Sequence, residues 1–204
     1  MGGVFIAFEG GEGSGKSTQA RILQAWLDDK GLPALLTREP GGTELGWHLR
    51  KILLDLTSKE LDPKTEALLF AADRAEHMAR VIAPALFQGK IVISDRYVDS
   101  FVAYERDGRQ LEDEIVRRLV GWATDERLPD LTILLDIAPA RGLARRSEFD
   151  RMESQPLEFH ERVRASYLAM AGANSDRYLV IDAEESSEAI ATAIQRRCEL
   201  LLSI

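Results

Sequence analysis

The chain has a single cysteine, Cys198, in 204 residues. One cysteine excludes an intrachain disulfide and suits a reducing compartment. Its setting in a late helical stretch reads as that of a small buried apolar residue. No apolar run approaches the length of a membrane span. The first residues lack a basic region followed by a cleavable apolar segment, and residues 4–8 read instead as a core strand. The expected address is the cytoplasm. Positive charge is also in short supply. Against 34 acidic residues there are 26 Lys and Arg, a net charge of −8, which argues against nucleic acid as a partner. Local arginine clusters remain able to hold a small phosphorylated ligand. The three histidines, His48, His77 and His160, have no metal-ligand spacing and exclude a zinc site. They read as surface or locally bonded residues. No nucleophile elbow and no internal repeat are visible.

What is present is concentrated near the start. Gly10-Gly11-Glu12-Gly13-Ser14-Gly15-Lys16-Ser17-Thr18 fits G-x-x-x-x-G-K-[ST] and lies between an apolar strand pattern and an amphipathic helix pattern. Such a loop curls its N–H groups around phosphate, and the following helix N-terminus adds the positive end of its dipole. Lys16 is expected to reach the β- and γ-phosphates, and the Ser17 hydroxyl to ligate Mg²⁺. A chance match in a chain this long is on the order of one in a hundred. The strand and helix flanks lower that further, so a nucleoside triphosphate is the expected ligand.

Apolar, β-rich runs alternate with helical patterns, which predicts an α/β fold with a five-stranded parallel sheet flanked by helices on both faces. Strands are predicted at residues 4–9, 33–37, 91–94, 131–136 and 178–182. Helices are predicted at 16–29, 43–56, 63–88 with an interruption near Pro84, 100–106, 111–127, 157–171 and 187–202, with a short one opened by Pro139. Residues 1–204 form one domain, with an arginine-rich segment at about 145–153 between two helices. Ligands in such folds sit at the carboxyl ends of strands. The P-loop, Arg38-Glu39, Asp95-Arg96 and Asp182 all fall there.

A P-loop alone does not separate a kinase from a switch or a motor. Asp95 ends an apolar strand, as a carboxylate oriented toward a Mg²⁺ shell does, and Arg96 beside it suits a second phosphate. Arg145, Arg146 and Arg151 are interleaved with Glu148, Asp150 and Glu153. Taken alone, such a cluster is more often a solvated loop than a lid. Phe70 and Arg74 share a helix face four residues apart, which suits either a nucleobase or ordinary core packing. The guanine-reading N-K-x-D of GTPases is absent. On residues alone a kinase and a motor ATPase stay open, with the switch GTPase weakened.

The set of motifs resembles the bacterial thymidylate kinase family. The matching stretches are Phe8 through Thr18, Thr37-Arg38-Glu39-Pro40-Gly41-Gly42-Thr43, Leu69 through Arg74, Asp95-Arg96-Tyr97 with Ser100, Ala103-Tyr104, Pro129 through Thr132, and Leu135-Asp136. The likeness spans nearly the whole chain, and Arg-Glu-Pro-Gly-Gly-Thr is its most specific part. It implies a P-loop NTPase fold with a lid, transfer of the γ-phosphoryl group of ATP to dTMP with Mg²⁺, and a homodimer. It implies that Phe70 stacks on thymine, that Arg74 bonds the base, and that Ser100 and Tyr104 line the same pocket. Arg38 and Arg96 then hold the dTMP phosphate, Glu12 faces the nucleotide sugar, and Glu39 and Asp95 belong to the phosphate and Mg²⁺ region. Asp182-Ala183 is similar to the segment that approaches adenine. Glu12 within the P-loop matches the subtype whose catalytic arginines come from the lid, which raises Arg145, Arg146 and Arg151 to expected catalytic groups. The chain departs from the family pattern twice. Glu105 stands where glutamine is frequent after Ala-Tyr, and the lid is a few residues shorter.

Overall fold

A computed structural model describes residues 2–57 and 61–204. Five parallel strands, β1 (Val4–Glu9), β2 (Ala34–Arg38), β3 (Ile91–Asp95), β4 (Leu131–Asp136) and β5 (Tyr178–Asp182), form one sheet in the order β2-β3-β1-β4-β5. The central strand β1 pairs Phe5 with Val92 on one side and Ile6 with Leu131 on the other. Alternation along β1 explains its continuous apolar run, because a parallel sheet is covered on both faces. Phe5 and Ala7 face a core with Phe70, Tyr97 and Phe101, whereas Ile6 and Phe8 face Leu23, Leu27, Ile93 and Ile194. The second face is closed by α1 (Lys16–Asp29) and α9 (Ser187–Leu202). The first is closed by α3 (Pro63–His77) and its neighbours.

Local signals set most element ends. The Thr43 hydroxyl accepts the Gly46 N–H at 2.9 Å and caps α2 (Glu44–Leu54). Asp62 caps α3 through the N–H groups of Lys64 and Thr65, with Pro63 at the first helical position. In contrast, α1 begins on Gly15 without a side-chain cap, which leaves its first N–H groups free for an anion.

Three predicted helices differ. The pattern over 63–88 is broken before Pro84, not at it: α3 gives way to a π-helical turn (Met78–Ile82), and α4 (Ala83–Phe87) follows. Proline has no N–H and crowds the carbonyl four residues back, so the widened turn falls upstream of the ring. The helix expected at 100–106 is α5 (Val98–Phe101) running into a π-helical stretch (Val102–Gly108). The helix expected at 111–127 is α6 (Asp113–Ala123), stopped where Asp125 and Glu126 take positive φ of 49° and 55°. After α7 (Pro139–Ala144), residues 145–156 form turns, and α8 (Leu157–Ala173) follows.

Ile93 lies at the centre of β3, fully buried against Ile6, Phe8 and Ile133. Ile93→Ala is expected to cost about 2–5 kcal/mol, read as a lowered midpoint in urea at an unchanged m-value.

Candidate active site

The carboxyl ends of β1, β2 and β3 open into one cleft of about 450 Å³. Of the residues singled out in the sequence, Glu12, Gly13, Gly15, Lys16, Ser17, Thr18, Arg38, Glu39, Phe70, Arg74, Asp95, Arg96, Ser100, Tyr104, Arg145 and Arg146 line it. Gly10, Gly11 and Ser14 belong to the same loop but are not among the residues that line the cleft. The Lys16 Nζ folds back to donate to the carbonyls of Gly10 (2.9 Å) and Gly11 (2.7 Å). Burial, and then the charge of Arg96, lower its pKa to about 8, with Glu12 and Asp95 opposing. At Gly13, φ is +67° and an added Cβ would lie 2.0 Å from the Gly142 carbonyl of α7, so the loop packs backbone to backbone against that helix.

Ser17 Oγ donates a short hydrogen bond to Asp95 Oδ2, bringing two hard oxygen donors together at the start of α1 and the end of β3. Mg²⁺ takes one or two protein oxygens and completes its octahedron with phosphate and water. The pair fits that requirement. Among the described residues, no group of three or more His, Cys, Asp or Glu side chains could hold a metal by itself.

Arg96 forms the junction of the cleft. Its guanidinium donates to Glu12 Oε1 (2.8 Å), the Gly10 carbonyl (3.3 Å) and Ser100 Oγ (3.1 Å). The Tyr104 hydroxyl donates to the same Glu12 oxygen at 2.6 Å. Burial alone would raise the Glu12 pKa, but Arg96 and then Lys16 outweigh it and hold the carboxyl at about 2. Glu12 is therefore ionised across the working pH range.

Further along, Phe70 and Arg74 form the floor. Arg74 is almost wholly buried and donates to the Phe70 and Tyr97 carbonyls, each at 3.1 Å. Its Nε lies 3.0 Å from Glu39 Oε2 as an ion pair, not a directed hydrogen bond. Glu39 Oε1 meets His77 Nδ1 at 2.8 Å, and His77 Nε2 meets Thr37 Oγ1 at 2.7 Å. This chain holds the loop after β2 to α3. It also explains the second glycine of the pair, because a Cβ on Gly42 would lie 2.3 Å from the His77 ring. His77 is thus one of the locally bonded histidines, and it is fully buried.

The three arginines expected in a lid separate. Arg145 donates to the carbonyls of Ala183 (3.0 Å) and Gly13 (3.3 Å). Arg146 borders the cleft and pairs with Glu153 at 2.9 Å. Arg151 does not join them. Its guanidinium is buried against the Glu66 carboxylate and donates from Nε to the Leu53 carbonyl at 2.7 Å. The physical reason is charge: Glu66 on α3 is fully buried, and Arg151 with Arg109 neutralises it. Asp182 also stays off the cleft wall, where its Oδ1 accepts the Glu184 N–H at 2.9 Å.

Sequence reasoning missed four contributors. Arg50 on α2 lines the cleft and donates to the Pro40 carbonyl at 3.0 Å. Its pKa is lowered by burial and then by Arg38. The helical period after the Thr43 cap was the available signal for it. Glu9, Tyr167 and Asp73 lie behind the wall. Glu9 ends an otherwise apolar strand, a visible anomaly, whereas nothing local marks Tyr167 or Asp73. Asp73 Oδ1 accepts the Gly41 N–H at 3.0 Å, and burial followed by Glu39 raises its pKa to about 6.

Fold and cleft together define a protein of the P-loop NTPase fold, with the phosphate-binding loop and Arg96 facing one cleft. The family model for thymidylate kinase matches residues 8–194. A thymidylate kinase of Clavibacter michiganensis subsp. michiganensis is 49% identical over 100% of this chain and 98% of its own length. One from Leifsonia xyli subsp. xyli is 50% identical over 97% and 94%. A crystal structure of thymidylate kinase from Ehrlichia chaffeensis superposes with a TM-score of 0.80 at 32% identity, covering 97% of this chain and 99% of that one. The chain belongs to the thymidylate kinase family.

Arg151→Ala leaves Glu66 with Arg109 alone and exposes a buried carboxylate to partial loss of its partners. A destabilisation of about 1–3 kcal/mol is expected, measured by chemical denaturation. An unchanged midpoint would remove the anchoring role.

Proposed function

We propose that the single cleft joins the two substrates of the family reaction end to end, and that the residues lining it divide that reaction between them. The enzyme carries out ATP-dependent phosphorylation of dTMP to dTDP. The observation that carries the division of roles is the continuity of the cleft from Lys16 through Arg96 to Phe70 and Arg74. On this reading the loop from Gly10 to Thr18 cradles the ATP phosphates, with Asp182-Ala183 on the adenine side. Lys16 leaves the carbonyls of Gly10 and Gly11 for the phosphates. Ser17 and Asp95 would hold Mg²⁺, which would supply charge neutralisation at the donor phosphates.

At the other end Phe70 stacks on thymine and Arg74 borders its edge, with Ser100 and Tyr104 beside the sugar. Arg38 and Arg96 hold the acceptor phosphate, with Glu39 fixing Arg74 from behind. Glu12 holds Arg96 in place by an ion pair that is ionised throughout the working range. The nucleophile is a phosphate oxygen already ionised at neutral pH, so no strong general base is needed. The barrier falls through alignment and charge stabilisation. Arg145 and Arg146 supply positive charge from the lid, residues 145–153 of one domain spanning 1–204, and Arg151 anchors that segment.

The assembled enzyme is proposed to be a cytoplasmic homodimer. Exposed Leu45, Trp47 and Ile52 on α2 and Leu68 on α3 support an interface between copies. The one cysteine is free and buried, and among the described residues no helix is long and apolar enough to cross a membrane.

ADP release from ATP, Mg²⁺ and dTMP in a coupled assay tests the reading. dTMP is expected to give the highest kcat/KM in a panel with dUMP, UMP and AMP. Absence of ADP above the no-acceptor control would favour a regulator that only binds ATP. Lys16→Ala is expected to lower kcat by about 10²–10³-fold, and wild-type turnover in that variant would remove the loop from the chemistry.

A further inference from the structure

Glu105 is a buried carboxyl group with no hydrogen-bond partner among the described residues. It is fully shielded from solvent, it borders the cleft, and neither of its oxygens makes a hydrogen bond. A buried carboxylate in that state carries a large desolvation cost, so the group needs a proton, a ligand or both. Among the described residues, the three arginines that act on it, Arg109, Arg74 and Arg151, are each engaged elsewhere. Arg109, in the turn after the π-helical stretch, is bonded to Glu66 at 2.7 Å and to Gln155 at 2.8 Å. Arg151 of the lid is bonded to the same Glu66. Arg74 of α3 is held by two backbone carbonyls and Glu39. Glu66 itself faces Glu105 with a negative charge.

The position in the cleft gives the group a direction. Glu105 follows Tyr104 on the π-helical stretch, on the part of the wall that also carries Phe70 and Arg74. A protonated carboxyl presents one O–H donor and one carbonyl acceptor. Thymine offers the complementary pair, an N3–H beside a carbonyl oxygen. An ionised carboxylate would set negative charge against that oxygen and lose the donor.

We propose that Glu105 recognises the acceptor base as a neutral carboxylic acid, donating its O–H to a thymine carbonyl and accepting the N3–H, so that its ionisation weakens dTMP binding. The proposal rests on dTMP being the acceptor. Burial, and then the Glu66 charge, push the Glu105 pKa up to about 8, with Arg109, Arg74 and Arg151 opposing. The free enzyme therefore loses its binding-competent form as pH rises through about 8. One pH unit above the pKa leaves about a tenth of the group protonated.

The test compares KM for dTMP at pH 7 and pH 9 in the wild type and in Glu105→Gln, whose amide keeps a donor and an acceptor but does not titrate. The pH 9 to pH 7 ratio is expected to be roughly tenfold larger in the wild type, with the KM for ATP following the same course in both. Shared ionisations, including that of Lys16, cancel in this comparison. Glu105→Ala is expected to raise KM for dTMP at pH 7 about five- to tenfold above Glu105→Gln, with kcat less affected. Calorimetry at pH 8 in buffers of different ionisation enthalpy gives a reading on the unmodified enzyme. Binding of dTMP should take up about half a proton, and this uptake should vanish in Glu105→Gln. Equal KM ratios, or equal proton uptake in wild type and Glu105→Gln, would overturn the proposal and leave the kinase assignment standing. Failure of the wild type to phosphorylate dTMP at any pH would instead overturn the assignment of the acceptor.

Discussion

The cleft wall around Arg96 and Ser100 depends on one buried carboxylate, Glu9. Its Oε1 accepts the backbone N–H groups of Tyr97 (2.9 Å) and Ser100 (3.1 Å), and its Oε2 accepts the hydroxyls of Ser100 (2.6 Å) and Tyr167 (3.0 Å). Burial, and then the neighbouring Asp99, raise its pKa, while these donors pull the other way. Through this one side chain the end of β1 is fastened to the start of α5 and to α8. Arg96 is caught between these points with φ at +71°, an uncommon conformation for a residue with a side chain. The Arg96 N–H donates to the Phe8 carbonyl, and Ser94 Oγ donates to the Arg96 carbonyl at 2.7 Å. The strained backbone is held from both sides, and the guanidinium is aimed at Glu12 before any ligand arrives.

That preorganisation reconciles an acidic chain with two anionic substrates. The overall charge of −8 repels phosphate at long range. Within a Debye length of about 8 Å the local field decides, and there Lys16, Arg38, Arg50, Arg96, Arg145 and Arg146 face one space. The carboxylates inside the cleft do not cancel them equally. Glu12 is paired with Arg96, and Glu39 is paired with Arg74 and His77. Arg38 acts on Arg50 across this space, and the Arg50 pKa is lowered by burial and then by that repulsion. A bound phosphate relieves both, so the site is built to favour an anion at the point where the two arginines meet.

The sheet was legible because its apolar strands alternate with amphipathic helices and end in functional groups. Strands β1, β4 and β5 and helices α1 and α9 begin and end as their patterns predict. The π-helical segments were not legible. Residues 78–82 and 102–108 carry ordinary helical composition, so nothing in local propensity marks their widening. The same limit applies to the site. Motif spacing identified the groups facing the cleft, but which charge neutralises which depends on long-range contacts. Arg145, Arg146 and Arg151 are indistinguishable in sequence. Only the buried Glu66, some 85 positions before Arg151, draws the last of them inward.

The division among these arginines follows from how a short lid is attached. One end is fixed by α7, whose Gly142 approaches the Glu12 carbonyl so closely that a Cβ would lie 2.1 Å from it. The other is fixed by Arg151, with Arg109 bridging Glu66 to Gln155 and Asp150 Oδ1 accepting the N–H groups of Met152 and Glu153. The free span between these anchors is a few residues, and Arg145 and Arg146 are the basic residues in it. Arg145 already touches the P-loop and the segment after β5, which places its charge beside the phosphate-binding loop. A lid of this length does not need to carry every arginine into the cleft. It needs one to hold its far end, and burial of Glu66 dictates which one that is.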